Sequence, residues 1–307
     1  MEFTRGKVAI YPDKPIRLIA PFPPGGGTGD VARVIAQTLT NQLGQPIVIE
    51  AIGGNSGVTG TGVVANAPAD GYTLLLGSSG THAVMPLLSQ VPYDPITDFS
   101  PVSLAALSGY MLVVHPDFPA KSVQELIAYS RARPGQITYA SSGVGTMIHF
   151  SGELFQYTTG VKWLHIPYAT SDLAVDDVMS KKTTLMFGNV PSVISLVRAG
   201  RLRGLAVTYS KRSSALPEIP TVEEAGVPGY ESTQFYGLIA PARIPKDTLE
   251  RLNREMVRAI ADPKVSKVML DLGLKPNSDT PDEFVALIKR EIDKWGSLIK
   301  VADIKAQ

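Results

Sequence analysis

The chain has 307 residues, of which 44% are hydrophobic and 19% are charged, and its 29 lysines and arginines nearly balance its 28 acids. This is typical of a globular protein long enough for two lobes, and the weak net charge disfavours nucleic acid as a partner. The sequence has no cysteine, which excludes disulfides, thiolate metal sites and cysteine nucleophiles.

Membrane insertion is also disfavoured. No run approaches the roughly 18 consecutive apolar residues that a membrane-spanning helix needs. Residues 1–10 lack the long apolar core of a secretory signal, so we expect a mature or trimmed chain without its signal peptide. These features alone do not decide the compartment.

The first part of the chain alternates short apolar runs with amphipathic stretches. Strands are predicted at 16–22, 47–52 and 72–78. Between the first two, a helix is predicted at 30–43, where apolar residues recur at helical spacing and Gly44 follows as a stop. This pattern is typical of βαβ units, and therefore of mostly parallel sheets flanked by helices.

A long apolar passage at 104–114 then leads to a second α/β series, and a capping box at Ser122 begins its first helix. Strands are predicted at 137–142, 163–168, 184–187, 202–208 and 234–240. Helices are predicted at 146–159, 173–180, 190–199, 246–261, 264–272 and 281–302. We expect lobe 1 to comprise 11–109 and the returning segment 233–307, and lobe 2 to comprise 110–232.

Glycines and hydroxyl residues cluster just past the ends of four predicted strands, where open α/β sheets bind ligands. These stretches are 21–30, 53–57, 78–81 and 141–146. Their backbone N–H groups and adjoining helix starts could bind an anion. Each stretch alone is more simply a turn that needs glycine, but their repetition at equivalent places favours one donor-rich cleft.

Other site chemistries fit less well. Gly25, Gly27 and Glu50 imitate a dinucleotide fingerprint, but Asp30 replaces its third glycine and two prolines remove donors. There is no Gly-x-Ser-x-Gly elbow, and the four histidines show no metal-ligand spacing, although a distant triad stays open. We therefore expect no cofactor, no metal and no enzyme activity. Asp172, Asp176 and Asp177 are interpreted as a solvated helix face.

Many short motifs resemble one family, the periplasmic solute receptors of tripartite tricarboxylate transporters, often called Bug proteins. The motifs run in family order through nearly the whole chain. They include Pro21-Phe-Pro-Pro-Gly-Gly26, Asp70-Gly-Tyr-Thr-Leu74, Ser79-Gly-Thr-His82, Pro92-Tyr-Asp-Pro95, Thr138-Tyr-Ala-Ser141, His165-Ile-Pro-Tyr168, Asn189-Val-Pro-Ser192 and Leu216-Pro-Glu-Ile-Pro-Thr221.

The resemblance implies a two-lobed type II periplasmic binding fold in the α/β class. It also implies a periplasmic location, a small organic mono- or dicarboxylate as ligand, and a membrane transporter as partner. Family receptors hold one carboxylate near the Pro-Phe-Pro-Pro-Gly-Gly loop. The candidate ligand-binding residues are Phe22, Pro23, Gly25, Gly26, Thr28, Asp30, Ser78, Ser79, Thr81, Ser142, Gly143, Gly145, Thr146, His149, Tyr168 and Asn189.

Departures from the family pattern fall in the loops that would contact a ligand. Ile52 stands where relatives often carry Arg, and Ala169-Thr170 replaces the usual Lys-Gly. The four glycine-rich loops contain no Lys or Arg, so we expect neutral donors and helix ends to hold the carboxylate, with Arg33 paired to an acid. We expect a monomer. Two alternatives stay open: an NAD-linked or hydrolytic α/β enzyme, and a receptor for a signalling partner.

Overall fold

The computed structural model describes residues 11–24, 26–302 and 304. The expectations for residues 1–10 and for Gly25 lie outside the described residues. Within the described part of the chain, no helix combines the length and the apolar character that crossing a membrane requires.

The chain contains the predicted strands and helices in the predicted order, together with unpredicted helices at Val58–Ala65 and Met85–Leu88 and an unpredicted strand at Lys275–Pro276. The strands are β1 (Ile16–Ala20), β2 (Ile47–Ala51), β3 (Thr73–Ser78), β4 (Phe99–Val114), β5 (Ile137–Ser141), β6 (Trp163–Pro167), β7 (Leu185–Asn189), β8 (Arg203–Val207), β9 (Thr233–Pro241) and β10 (Lys275–Pro276). The helices are α1 (Gly26–Leu43), α2 (Val58–Ala65), α3 (Met85–Leu88), α4 (Val123–Arg131), α5 (Met147–Thr159), α6 (Ser171–Met179), α7 (Val190–Arg198), α8 (Lys246–Ala261), α9 (Pro263–Asp271) and α10 (Pro281–Ala302).

Two groups of strands are joined through the long strand β4. The order along the sheet is β2-β1-β3-β9-β4-β7-β5-β6, and β8 and β10 also pair with β4. We call the part around β2, β1, β3 and β9 lobe 1, and the part around β7, β5 and β6 lobe 2. Strands β1, β2 and β3 are parallel to one another, as are β5, β6 and β7.

The sheet is mixed where the chain passes between the lobes. Strand β9 runs antiparallel to β3 and β4, and β4 runs antiparallel to β7 and β8. Strands β1–β3 and β5–β7 are therefore parallel, because helical crossovers join them. Strands β4 and β9, which run between the lobes, are antiparallel to their neighbours.

The partner of β4 changes between Gly109 and Tyr110. Gly109 pairs with Thr233 of β9, and the next residue, Tyr110, pairs with Asn189 of β7. One continuous strand thus belongs to both lobes and places the residues near 109–110 at the floor of the space between them.

Hydrophobic side chains form one large cluster in lobe 2 and two in lobe 1. Helix α10 packs on both sides of the crossing. Phe284 and Ile288 near its start belong to a lobe 1 cluster, whereas Trp295 and Leu298 near its end belong to the lobe 2 cluster. Trp295 is fully buried and packs edge-on against Phe150 at 5.8 Å between ring centroids.

Candidate functional site

A cavity of about 70 Å³ lies between the lobes at the carboxyl ends of the parallel strands. Its wall comes from both lobes and from the crossing strands. The lining residues are Phe22, Pro23, Pro24, Gly27, Thr28, Ser56, Ser78, Gly80, Tyr110, Ser142, Thr146, Met147, Ile148, Ala169, Thr170, Ser171, Asp172, Asn189 and Gln234. The position is the one at which open α/β sheets bind ligands.

The start of α1 forms the part of the lobe 1 wall nearest the crossing strands. A Cβ atom added at Gly27 would lie 3.1 Å from the Tyr236 hydroxyl oxygen and 3.5 Å from Cβ of Asn189. A side chain here would push the first turn of α1 away from lobe 2. Glycine therefore allows Thr28, which lines the cavity, to approach the crossing strands.

The loop after β2 crosses the cleft. Asn55 and Ser56 both have positive φ, 47° and 53°, a conformation that is uncommon outside glycine. The Ser56 hydroxyl donates to the Val144 carbonyl of lobe 2 at 2.7 Å. A lobe 1 loop therefore touches a lobe 2 loop across the cleft.

The turn after β3 is mostly scaffold. Ser78 lines the cavity, but the buried Ser79 hydroxyl accepts the backbone N–H of Phe235 in β9 at 3.0 Å. The Thr81 hydroxyl donates to the Ser78 carbonyl at 3.1 Å, and its side chain packs beneath Gly57. Ser79 and Thr81 thus hold the turn and are not among the lining residues.

The loop after β5 forms the main lobe 2 wall. Ser142 and Thr146 line the cavity, and Gly143 and Gly145 have positive φ of 119° and 79°. The Thr146 hydroxyl caps α5 by accepting the backbone N–H of His149 at 3.5 Å, and it donates to the Gly143 carbonyl at 2.8 Å. A Cβ at Gly145 would overlap Met85 Sδ of lobe 1. Glycine at 145 therefore permits the two lobes to close.

His149 supports this loop from behind and is not among the lining residues. Its Nδ1 accepts the Gly145 backbone N–H at 3.3 Å, and its ring stacks on His165 at 4.2 Å between centroids. Burial lowers the pKa of His149 to about 3, with a smaller contribution from His165, and burial lowers the pKa of His165 to about 4. Both rings are neutral near pH 7, and His165 bonds the Ser141 hydroxyl at 2.6 Å.

The start of α6 completes the lobe 2 wall with Ala169, Thr170, Ser171 and Asp172. The Thr170 hydroxyl caps the helix by accepting the Leu173 backbone N–H at 3.3 Å. Asp172 is exposed, as expected for a solvated helix face, and it also lines the cavity.

Tyr168 points its hydroxyl at α6. The hydroxyl donates to Asp177 at 2.7 Å, so this side chain braces the helix and is not among the lining residues. Burial, followed by the hydrogen bond to Asp177, raises the pKa of Tyr168 to about 12. Tyr168 thus remains a neutral donor at physiological pH.

The floor comes from the crossing strands and from Asn189. The Gln234 side-chain amide donates to Asn189 Oδ1 at 3.4 Å and to the Tyr236 hydroxyl. Tyr110 is fully buried, and its hydroxyl has no hydrogen-bond partner within the described chain. The buried hydroxyl oxygen of Ser171 is likewise without a partner there. Neither oxygen has appreciable accessible surface, so neither hydroxyl is exposed to the cavity.

The electrostatics of the cavity come from neutral donors. Among the lining residues that the structure describes, Asp172 is the sole charged residue. Arg33 lies outside the wall and forms an ion pair with Asp30, in agreement with the expectation that it pairs with an acid. Helices α1, α5, α6 and α7 all begin at the wall, and the positive ends of their dipoles can stabilise an anion there.

Seven predicted site residues line the cavity: Phe22, Pro23, Thr28, Ser78, Ser142, Thr146 and Asn189. Gly26, Asp30, Ser79, Thr81, Gly143, Gly145, His149 and Tyr168 are not among the lining residues, and Gly25 is outside the described residues. The roles of all these residues in binding stay predictions.

Sequence reasoning missed the start of α6 and the two floor residues Tyr110 and Gln234. The position of 169–172 at the end of a strand was an available signal for the start of α6. Tyr110 and Gln234 gave no such signal, because each lies inside an apolar run that is typical of a buried strand.

Comparison with known proteins identifies the family. The family model described as the tripartite tricarboxylate transporter family receptor matches residues 31–304. The chain is 36% identical to Protein BugT of Bordetella pertussis over 297 residues, which cover 96% of this chain and 91% of BugT. It is 37% identical to an uncharacterised-family protein from the tcbD-tcbE intergenic region of Pseudomonas sp. strain P51, covering 95% of this chain and 88% of that protein.

Solved structures give the same result. A protein of R. palustris solved with adipate shares 35% identity and a TM-score of 0.93, covering 96% of this chain and 99% of that one. Periplasmic binding protein BugD shares 33% identity and a TM-score of 0.90, covering 97% and 100%. MatC from Rhodopseudomonas palustris with bound malate shares 28% identity and a TM-score of 0.88, covering 94% and 100%.

These similarities confirm the predicted fold class and the resemblance stated from the sequence motifs. They also place the chain among substrate-binding receptors and not among enzymes. The chain belongs to the family of receptors of tripartite tricarboxylate transporters.

Proposed function

We propose that this protein is a periplasmic receptor that closes two lobes around a small organic mono- or dicarboxylate and delivers it to the membrane subunits of a tripartite transporter. The lobes are residues 11–109 with 233–307, and residues 110–232, and the receptor acts as a monomer. The proposal is supported by the relatives solved with adipate and with malate.

One observation carries the proposal: several helix starts converge on a cavity that contains neutral donors and no Lys or Arg among its described lining residues. Such a site can stabilise an anion through N–H groups and hydroxyls, each helix end adding about 0.3–1 kcal/mol. A ligand held in this way can be released when the lobes open, because no buried ion pair must be broken.

Closure supplies the second requirement of a receptor. The hydrogen bond from Ser56 to Val144 and the contact of Gly145 with Met85 join the lobes over the cavity. The change of β4 partners at residues 109–110 lies beneath that cavity, where a small backbone rotation would open it.

Calorimetry tests the ligand class. The protein is titrated with a panel of mono- and dicarboxylates and, as matched controls, with the corresponding primary amides. We expect saturable binding of at least one acid and much weaker binding of its amide, because the amide lacks the charge that the helix ends stabilise. Equal affinity for an acid and its amide would contradict the proposal, as would failure of every acid to bind.

Two further measurements test closure and delivery. Small-angle scattering of the free and saturated protein should show compaction on binding, whereas identical profiles would contradict closure. Uptake of the labelled acid by vesicles that carry the cognate membrane subunits should require the receptor, and uptake that is unaffected by its omission would contradict delivery.

A further inference from the structure

We propose that Asp172 makes this cleft select a compact carboxylate whose far end carries a hydroxyl or amino group over an acid whose far end is a second carboxylate. The inference rests on the proposed function, because it assumes that the first carboxylate binds in this cavity. It narrows the class of ligand and assigns a specificity-determining role to a residue of α6.

The first observation is the charge of the wall. Asp172 lies in the first turn of α6 and lines the cavity together with Thr28, Pro23 and Pro24 of the facing lobe. Among the described lining residues there is no cation that could neutralise it or pair with a second ligand carboxylate. Neutral donors and helix ends can hold one carboxylate of the ligand. A second carboxylate on the same ligand would be repelled by the negative charge of Asp172.

The nearest basic side chain does not change this balance. Arg33 is already paired with Asp30, and its side chain is 63% exposed against 19% for Asp30. The pKa of Asp30 is raised mainly by burial, and Asp172 raises it further, while Arg33 lowers it. Arg33 and Asp30 neutralise each other, so the charge of Asp172 is left uncompensated among the described lining residues.

The chemistry of Asp172 sets the preferred far end. A hydroxyl or amino group at the far end of the ligand can donate a hydrogen bond to the Asp172 carboxylate in the cavity wall, as a purely apolar chain cannot.

The size of the cavity favours short ligands. About 70 Å³ is available between the closed lobes, whereas the centre of a single water needs about 10–15 Å³. A short acid places its far end near the same wall as Asp172, because little room is left for the chain to turn away.

The test compares acids of equal length. Calorimetry is run with succinate, γ-hydroxybutyrate, γ-aminobutyrate and butyrate, and again with adipate and its ω-hydroxy and ω-amino counterparts. The wild-type protein is expected to bind the hydroxyl- or amino-ended acid about tenfold more tightly than the dicarboxylate of the same length, which is a difference of about 1.4 kcal/mol.

Two variants assign the preference to one side chain. Asp172→Asn should reduce the tenfold ratio to about twofold or less, mainly by strengthening the dicarboxylate. Asp176→Asn, which changes an exposed acid of the same helix outside the cavity wall, should leave the ratio unchanged. Thermal unfolding of both variants controls for any loss of the fold.

The outcomes separate this proposal from the proposed function. Tightest binding of a dicarboxylate by the wild-type protein, or an unchanged ratio in Asp172→Asn, would overturn the role of Asp172 while leaving a carboxylate receptor. Failure of every acid to bind would overturn both.

Discussion

The cavity wall from lobe 1 and the wall from lobe 2 differ in how their loops are held. In lobe 2, Thr146 and Thr170 cap the helices that begin at the wall, and the buried His149–His165 pair supports the loop from behind. In lobe 1, the loops are held by close backbone approach at glycine, as at Gly57, and by the turn bond from Thr81 to Ser78.

The difference separates residues that build the site from residues that are free to bind. Hydroxyls that already cap a helix, such as Thr146, contribute to stability and order. Thr28 caps no helix and lines the opposite wall beside the Tyr236 hydroxyl. A residue that lines the cavity can thus act mainly on stability or mainly on affinity, depending on its wall.

The largest expected effect comes from the contact where the two walls meet. In Gly145→Ala the new methyl would overlap Met85 Sδ and lie 3.3 Å from Leu88 Cδ1, so the Met85 side chain must move before the two loops can meet as they do here. We expect calorimetry to show a loss of about 2 kcal/mol in ligand binding, roughly thirtyfold, as is typical of overpacking.

A matched control separates closure from backbone strain. Gly160 ends α5 with φ of 74°, close to the 79° of Gly145, but a Cβ there would meet nothing within 4 Å. Gly160→Ala should lose stability to a similar extent and keep wild-type affinity. Equal losses of affinity in both variants would show that closure through Gly145 is not the cause.

The buried histidines behind the lobe 2 wall should make the free energy of unfolding depend on pH. The pKa of His165 is lowered by burial from 6.5 to about 4, so between these values the unfolded chain binds a proton that the folded chain does not. His165 should therefore contribute a fall of about 1–2 kcal/mol in the free energy of unfolding as the pH drops from 6.5 to 4, after allowance for its partial exposure, and His149 should add to this fall.

The measurement is urea unfolding at several pH values for the wild-type protein and His165→Gln, whose amide can still bond the Ser141 hydroxyl. The variant should show a shallower loss of stability over this range. Parallel pH dependences for the two proteins would exclude His165 as a source of the acid sensitivity.

Substituting one threonine on each wall sharpens the comparison directly. Thr146→Val removes a helix cap and should lower the free energy of unfolding by about 1 kcal/mol. Thr28→Val removes an uncapped hydroxyl and should lower ligand affinity by about 0.5–1.5 kcal/mol with a smaller effect on unfolding. Calorimetry and denaturant unfolding of both variants provide the test. If both variants lose affinity and unfolding free energy in the same proportion, the two walls do not differ in the way described.

The smallest change in ligand affinity is expected for residues that do not line the cavity. Arg33→Gln removes a cation that is paired with Asp30 and does not line the cavity, so affinity should change by less than about threefold. Arg17→Gln, which breaks an exposed pair with Glu50 at 2.7 Å on lobe 1, is the matched control. Near-total loss of binding in Arg33→Gln alone, with the fold intact, would reveal an ionic clamp.

Much of the fold could be predicted because its signals are local. Helices α8 and α10 have the predicted bounds, since each carries a long apolar stripe at helical spacing. Helix α2 was missed because Val58–Ala65 contains two glycines and two threonines, which are weak helix formers, and its stability comes from burial. The mixed direction of the crossing strands depends on pairing between distant residues, which periodicity does not show.

The site was predictable only in part for the same reason. Glycine and hydroxyl clusters at strand ends marked the loops that contribute Thr28, Ser78 and Ser142. Whether a hydroxyl in such a loop faces the cavity or fixes a turn depends on partners far along the chain, as with Ser79 and Phe235. Tyr110 could not be recognised from the sequence, because it lies in an apolar run. It lines the cavity only because β4 changes its partner from β9 to β7 at this residue.

The central claim is that neutral donors between the lobes hold a carboxylate. A crystal structure of the protein grown with its tightest-binding acid tests this most directly. The account predicts the acid inside the cavity, with its carboxylate hydrogen-bonded to N–H groups and hydroxyls of both walls and with no Lys or Arg nitrogen within about 4 Å. An acid bound elsewhere, or a carboxylate paired with a basic side chain, would contradict it.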